Sequence, residues 1–204
     1  MYSFQYVPRS EYMPIKNMVI EIIHRVQEEV RDDFTFQFSF IGSTKRNMIT
    51  QDIKSNIGYD FDVNITVNDE DEEYSAEEIR NIVRTAFTKV IRQYGYSKCE
   101  DSTRVITIKL VNRRLSRIVH SCDFAIVYGN QYIRYNKETH NYTWEYQAKG
   151  YNNLEQKADK LKKSHWAEVR DVYLNKKNYN TNCDKHSRSL YAETINEIYS
   201  KYYD

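Results

Sequence analysis

The sequence is poor in the residues that make special backbone or covalent structure. Its 204 residues include five glycines, two prolines and three cysteines. Cys99, Cys122 and Cys183 are odd in number, far apart and without CxxC spacing. That pattern argues against a disulfide framework or a zinc site and points to a reducing compartment. Cys122, beside Asp123, reads as a small buried hydrophobe rather than a nucleophile. No apolar run approaches the roughly 20 residues of a membrane span. The amino terminus, Met1-Tyr2-Ser3-Phe4-Gln5, lacks a basic stretch followed by an apolar one, so no secretory signal is expected. The expectation is a soluble, cytoplasmic protein with no membrane partner. Neither charge dominates: 30 basic residues face 29 acidic ones, for a net charge of +1. This excludes a highly basic nucleic-acid coat and an acidic tail, and argues against a long nucleic-acid partner, which needs many cations. Tyrosine, in contrast, is abundant at 19 residues, which supplies amphipathic rings to core and surface.

Periodicity sets the element order. From Pro14, which suits a helix first turn, Ile15, Met18, Val19, Ile22, Ile23, Val26 and Val30 recur at helical spacing. Asp32-Asp33 ends that pattern. Phe34, Phe36, Phe38 and Phe40 then alternate with polar residues, a strand signal broken by Gly42-Ser43. Residues 44–58 read as a loop with a short helical turn, anchored by Met48, Ile49, Ile53 and Ile57. Tyr59 to Val67 alternates again: Phe61, Val63, Ile65 and Val67 face one way, Asp60, Asp62, Asn64 and Thr66 the other. The acid run from Asp69 to Glu73 is a solvated connection. Ser75 with Glu78 makes a capping box that opens a helix ending near Gly95. Strands follow at Val105–Val111 and within Arg117–Tyr128, then a hairpin at Tyr132–Tyr135 and Tyr142–Tyr146. After Gly150 the pattern turns helical: one or two helices through Leu154 and Tyr173, polar punctuation from Asn175 to Asn182, and a last helix over Ser187–Tyr203. The fold class is therefore α+β (α/β), a mixed sheet flanked by helices. The expected organisation is a core over 1–150 with a C-terminal helical extension over 151–204.

One stretch carries candidate chemistry. Gly42-Ser43 closes the first long strand, and Asp60 and Asp62 stand two apart near the start of the next, so both project from one face. A third acid, Asp123, lies on a later strand. Such alternation is equally the pattern of an ordinary strand with a wet face. If the acids converge, they repel one another unless a cation such as magnesium, which prefers oxygen ligands, neutralises them. The combination of an apolar strand, Gly-Ser, a variable loop, Asp-x-Asp and a later Asp resembles the nucleotidyltransferase superfamily. That superfamily includes DNA polymerase β, CCA-adding enzymes, antibiotic nucleotidyltransferases and cGAS/DncV-like enzymes. The match spans roughly residues 34–128, and the Ser43–Asp60 gap is longer than the family's common form.

The resemblance implies a nucleotidyltransferase palm and a two-metal transfer of NMP from an NTP to a hydroxyl acceptor, releasing pyrophosphate. Asp60, Asp62 and Asp123 would bind two Mg2+ or Mn2+ ions, with Asp123 also beside the acceptor hydroxyl. Gly42 and Ser43 would approach the triphosphate, and Lys45 and Arg46 would add charge there or remain solvated loop cations. The acceptor is open: an RNA end, a nucleotide, a small molecule or a protein hydroxyl. The alternative is a non-catalytic nucleotide binder, or a toxin–antitoxin or defence partner of the same fold. A metal-dependent phosphohydrolase would also use acids but leaves Gly42-Ser43 without a role. Other residues have two readings. Lys157, Lys160, Lys162 and Lys163 are a wet helix face or a source of a triphosphate contact. Arg113, Arg114 and Arg117 decorate a turn or bind phosphate. Tyr132, Tyr135, Tyr142, Trp144 and Tyr146 pair across a hairpin or stack a base. His186 and Arg188 precede or open the last helix, and nothing in the sequence singles them out. His120 lies on the opposite strand face from Asp123 and is not a ligand candidate.

Overall fold

The computed structural model describes residues 2–69, 73–147, 153–182 and 184–204. Glu70-Asp71-Glu72 of the acid run, the expected boundary at 150/151 and Cys183 lie outside the described residues. The chain is α+β, with a mixed sheet and helices. No helix of the described residues is long and apolar enough to cross a membrane.

The chain divides into two units, of which the larger comprises Val7–Ile49 and Asn56–Gln147. It begins with helix α1, Arg9–Glu29. The helix starts five residues before the expected Pro14, because Pro8 supplies the carbonyl that accepts from Glu11 and Tyr12 N–H. Pro14 lies inside the helix on an exposed position, so the Ser10 carbonyl it leaves without a helical donor is also at the surface. Strand β2, Thr35–Ile41, leads into a one-turn helix α2, Gly42–Lys45. Strand β4, Tyr59–Asn68, follows the short strand β3, Thr50–Asp52. Helix α3, Ala76–Val90, opens on the Ser75–Glu78 capping box and runs into a 3-10 turn, Ile91–Tyr94, closed by Gly95 at φ 83°. Then come β5, Cys99–Asp101; β6, Val105–Asn112; β7, Arg117–Tyr128; β8, Gln131–Asn136; and β9, Asn141–Tyr146.

The main sheet has the order β2-β4-β7-β6-β5, with the β8–β9 ribbon joined to the end of β7. Only β4 and β7 pair in parallel among the described strands. One face of this sheet is apolar. Phe61, Val63, Ile65, Ile106, Ile108, Cys122, Phe124 and Ile126 are buried there with Val19, Ile22 and Val26 of α1 and Ile79, Val83 and Phe87 of α3. Phe87 and Phe124 meet at 4.3 Å between ring centres. Each such buried side chain contributes roughly 1.5–3 kcal/mol relative to exposure. Arg80 of α3 is fully buried, yet its guanidinium is satisfied by Asp101 and by the carbonyls of Ser102, Arg104 and Val105, with the Tyr142 ring 4.6 Å away. Each of its three nitrogens has an acceptor, so the charge is compensated where it is buried.

The smaller unit comprises Met1–Tyr6, Thr50–Ser55 and Ala148–Asp204. Strand β1, Phe4–Tyr6, pairs antiparallel with β3. Helices α4, Leu154–Lys162; α5, Trp166–Tyr179; and α6, Ser187–Tyr203 bury Leu161, Val169, Tyr173, Ile195 and Ile198. Of the polar punctuation expected over Asn175–Asn182, residues 175–179 are instead the end of α5 and 180–182 lie outside the helices: the Asn178 side chain bonds both Phe4 N–H and Phe4 C=O, and the Tyr6 hydroxyl donates to the Arg170 carbonyl. Of the four apolar anchors expected between 44 and 58, Met48 and Ile49 are buried and Ile53 and Ile57 are exposed.

Two features of the β4–β7 pair give measurable consequences. At Gly58, where the chain enters β4, a Cβ would stand 1.9 Å from the Val119 carbonyl oxygen. Gly58→Ala is expected to cost about 1–3 kcal/mol in urea unfolding, because backbone must move. His120 is fully buried with Nε2 2.8 Å from the Tyr96 hydroxyl, and burial lowers its pKa from 6.5 to about 4. The unfolded chain therefore takes up the proton first. The contribution of His120 to stability is complete above pH 6.5 and falls away toward pH 4, by about 3 kcal/mol. His120→Gln is expected to remove that part of the pH dependence in unfolding titrations.

Candidate active site

The turn after β2, the first half of β4 and the middle of β7 meet at one place on the polar face of the sheet. Ile41 is the register partner of Asp62 in the antiparallel β2–β4 pair. The chain then turns sharply at Gly42, whose φ of +59° favours glycine. A Cβ there would lie 2.5 Å from Asp62 Oδ2, so Gly42 backbone and Asp62 carboxylate are packed together. Ser43 follows, its carbonyl accepting from Met48 N–H at 2.9 Å, and Asn47, at φ 54°, ends the turn. Thr44 is buried and its hydroxyl has no hydrogen-bond partner among the described residues. Lys45 is exposed; Arg46 is partly buried and its charge acts on Asp62.

The parallel β4–β7 register sets the acids. Asp62 lies opposite Asp123, and Asp60 opposite Ser121. On the other side of β7, Thr107 of β6 pairs with Asp123 and Lys109 with Ser121. Pairing in register puts Asp60, Asp62, Asp123, Ser121, Thr107 and Lys109 on one face. The Ser121 hydroxyl donates to Asp60 Oδ1, and the Thr107 hydroxyl donates to Asp123 Oδ1 at 2.6 Å. Lys109 is ion-paired with Glu100 at 2.6 Å.

The electrostatics follow from that proximity. Asp62 has its pKa raised from 3.8 to about 6, first by burial, then by the charges of Asp123 and Asp60, against a smaller opposing effect of Arg46. Asp123 is also raised, chiefly by burial, with Asp60 adding to it; the Thr107 hydrogen bond and Lys109 oppose it. Carboxylates so placed favour a bound cation of the hard, oxygen-seeking kind. Among the described residues, however, no group of three acidic, His or Cys side chains is already gathered as a metal cage. Donor chemistry and shared face fit a divalent ion, while two of the carboxylates are engaged by hydroxyls.

The remaining candidates belong to other elements. Lys157, Lys160, Lys162 and Lys163 belong to the helical unit. There Lys157 donates to Asn196, Lys160 sits 3.7 Å over the Tyr203 ring, and Lys162 pairs with Asp159. His186 holds the N-cap position of α6 without a side-chain capping bond, and Arg188 is in its first turn. Arg113 and Arg114 occupy the exposed β6–β7 turn, with Arg117 at the start of β7. Of the ribbon aromatics, Tyr135 and Tyr142 pair across the strands with rings 5.3 Å apart, and Tyr142 also donates to Asp101; Tyr132, Trp144 and Tyr146 stand opposite Glu145, Ile133 and Gln131. His120 is in the apolar core on the opposite face from Asp123, and Cys122 is fully buried, which pushes its thiol pKa up. Thr107, Ser121 and Lys109 were not among the sequence candidates. Ser121 has a local signal, since it shares a strand face with Asp123; Thr107 and Lys109 have none without the β6–β7 register.

Comparison with known proteins is consistent with the fold. No family model matches the chain, and neither does any curated protein. Solved structures do match. Vibrio cholerae DncV in its GTP-bound form is 15% identical, with a TM-score of 0.59 over 98% of this chain and 54% of that one. Elizabethkingia meningoseptica CdnE, a cyclic dinucleotide synthase solved with GTP and Apcpp, is 13% identical, with a TM-score of 0.55 over 92% and 70%. The CD-NTase CdnG of Bradyrhizobium diazoefficiens, in complex with GTP, is 11% identical, with a TM-score of 0.52 over 83% and 43%. The chain thus has the fold of the cGAS/DncV-like nucleotidyltransferases, and it spans about half the length of the DncV and CdnG chains.

The raised pKa of Asp62 has a definite sign. Between pH 3.8 and about 6 the folded chain holds the proton more firmly than the unfolded one, so this acid costs stability as pH rises through that window. Asp62→Asn is expected to melt higher than the parent near pH 7.5, with the difference gone by about pH 4, as read by thermal scans at each pH.

Proposed function

We propose that this chain is a metal-dependent nucleotidyltransferase that moves a nucleoside monophosphate from an NTP to a hydroxyl acceptor and releases pyrophosphate. The observation that carries this reading is the register pair Asp62–Asp123, with Asp60 on the same face and Gly42 against Asp62, in a chain of this fold. Asp60, Asp62 and Asp123 are the groups that would hold Mg2+ or Mn2+. A pair of such ions supplies charge stabilisation to the entering and leaving oxygens of an in-line displacement at the α-phosphate. Asp123 also serves beside the acceptor hydroxyl, where a carboxylate favours loss of its proton. Gly42 leaves room for the triphosphate at the mouth of β2, because any side chain there would occupy the space against Asp62. Ser43 offers a backbone N–H and a hydroxyl to the terminal phosphates, and Lys45 and Arg46 add positive charge beside them. The structural neighbours solved with GTP make GTP the first donor to try.

The non-catalytic alternative has one specific observation in its favour: no closed three-acid cage stands among the described residues. Assay of each labelled NTP with Mg2+ or Mn2+ separates the two. The enzyme reading expects pyrophosphate release that falls by more than about a hundredfold in Asp62→Asn and in Asp123→Asn, since even supporting residues of metal sites are worth 10–100-fold. Tight NTP binding with no pyrophosphate across all four nucleotides and a panel of hydroxyl acceptors would establish the binder instead.

A further inference from the structure

We propose that Thr107 and Ser121 are positioning residues of the acid face, each using a buried hydroxyl to hold one carboxylate so that its second oxygen is presented to a cation. The inference rests on the metal-dependent reading above. Both residues are among the few polar side chains buried among the described residues, at 8% and 7% exposure. A buried hydroxyl costs free energy unless it is hydrogen-bonded. Among the described residues, the other buried threonine with a hydroxyl partner, Thr194, bonds a carbonyl of its own helix, Leu190. Thr107 and Ser121 differ: each donates to a carboxylate on the adjacent strand, directly opposite in register. Residues so paired have Cβ atoms about 5 Å apart, which is hydroxyl-to-carboxylate reach without backbone movement.

The pattern is systematic across the site. Asp123 is held from β6 by Thr107, Asp60 is held from β7 by Ser121, and Asp62 between them is confined by the Gly42 backbone. In both hydrogen bonds the acceptor is Oδ1, which leaves Oδ2 of Asp60 and of Asp123 for other duty. Fixing one oxygen of a carboxylate limits rotation about its terminal torsion, so the ordering cost of coordination is met in advance. Metal-ligating carboxylates are themselves commonly held by such outer partners, whose loss weakens metal affinity 10–100-fold. This explains why a threonine and a serine, rather than valine and alanine, occupy buried strand positions.

The test is Mn2+ binding to the full chain in the presence of a non-hydrolysable NTP, followed by the EPR signal of free Mn2+. Thr107→Val and Ser121→Ala are each expected to bind Mn2+ about tenfold more weakly, and Thr107→Ser, which keeps the hydroxyl, to stay within about twofold of the parent. Melting temperature is followed alongside. A merely structural hydroxyl would change the melting temperature and leave the Mn2+ affinity alone. Unchanged affinity in both Thr107→Val and Ser121→Ala, with the parent binding Mn2+ and Asp62→Asn failing to, overturns this inference and leaves the metal reading standing. A parent that binds no Mn2+ under these conditions overturns the metal reading as well. Should Thr107→Val not fold, Ser121→Ala carries the same comparison, because its hydroxyl acts on a different acid.

Discussion

Backbone hydrogen bonds between β4 and β7 hold two carboxylates side by side against their mutual repulsion. Asp62 and Asp123 are opposite one another in the parallel register, and neither can leave without breaking the ladder that also aligns Phe61 with Cys122 and Val63 with Phe124. The repulsion is supported from behind. The apolar side of the same two strands packs on α1 and α3, and burial there outweighs what the acids cost on the other side. A sheet with one dry face and one charged face can carry such a cluster because alternation separates the two demands residue by residue. The backbone approach at Gly58 belongs to the same constraint, since it lets β4 start flush against the Val119 carbonyl and fixes the level of Asp60 and Asp62 against β7.

Local pattern was legible, and pairing was not. The phenylalanine alternation of β2, the Asp-bearing alternation of β4 and the Ser75–Glu78 box each declare themselves within ten residues, and the structure has each of them. The start of α1 was displaced because proline at position 14 suggests a first turn, while the real first turn uses the Pro8 carbonyl and tolerates Pro14 on an exposed side. The end of α5 was hidden because Asn175, Lys176, Lys177 and Asn178 look like loop residues; their helical state is secured by partners in β1 and β3, more than 120 positions away. The three-residue strands β1, β3 and β5 are too short for alternation to register.

The candidate site shows the same limit more sharply. Gly42, Asp60, Asp62 and Asp123 stand out by residue type and by resemblance. The hydroxyls that bond two of these acids are less visible: Ser121 has only the strand face it shares with Asp123, and Thr107 has no local signal. Thr107 is connected to Asp123 only through the β6–β7 register, sixteen positions apart. The sequence therefore discloses the acids but not the hydroxyls that hold them or the Lys109 ammonium on the same face. The helical unit adds a further instance: its membership runs from the first six residues to the last helix, a grouping that only contact in space defines.

The strict alternation of β7 has a consequence for how the chain reaches its native state. His120, Cys122, Phe124 and Ile126 point into the apolar core, while Ser121 and Asp123 point away. A strand mispaired by a single position would drive a carboxylate into oil and hang a phenyl ring in water. Such a misthreaded species is too costly to persist, so the chemistry of the polar face doubles as a proofreading device: any molecule that completes its sheet has, by the same act, assembled its acids.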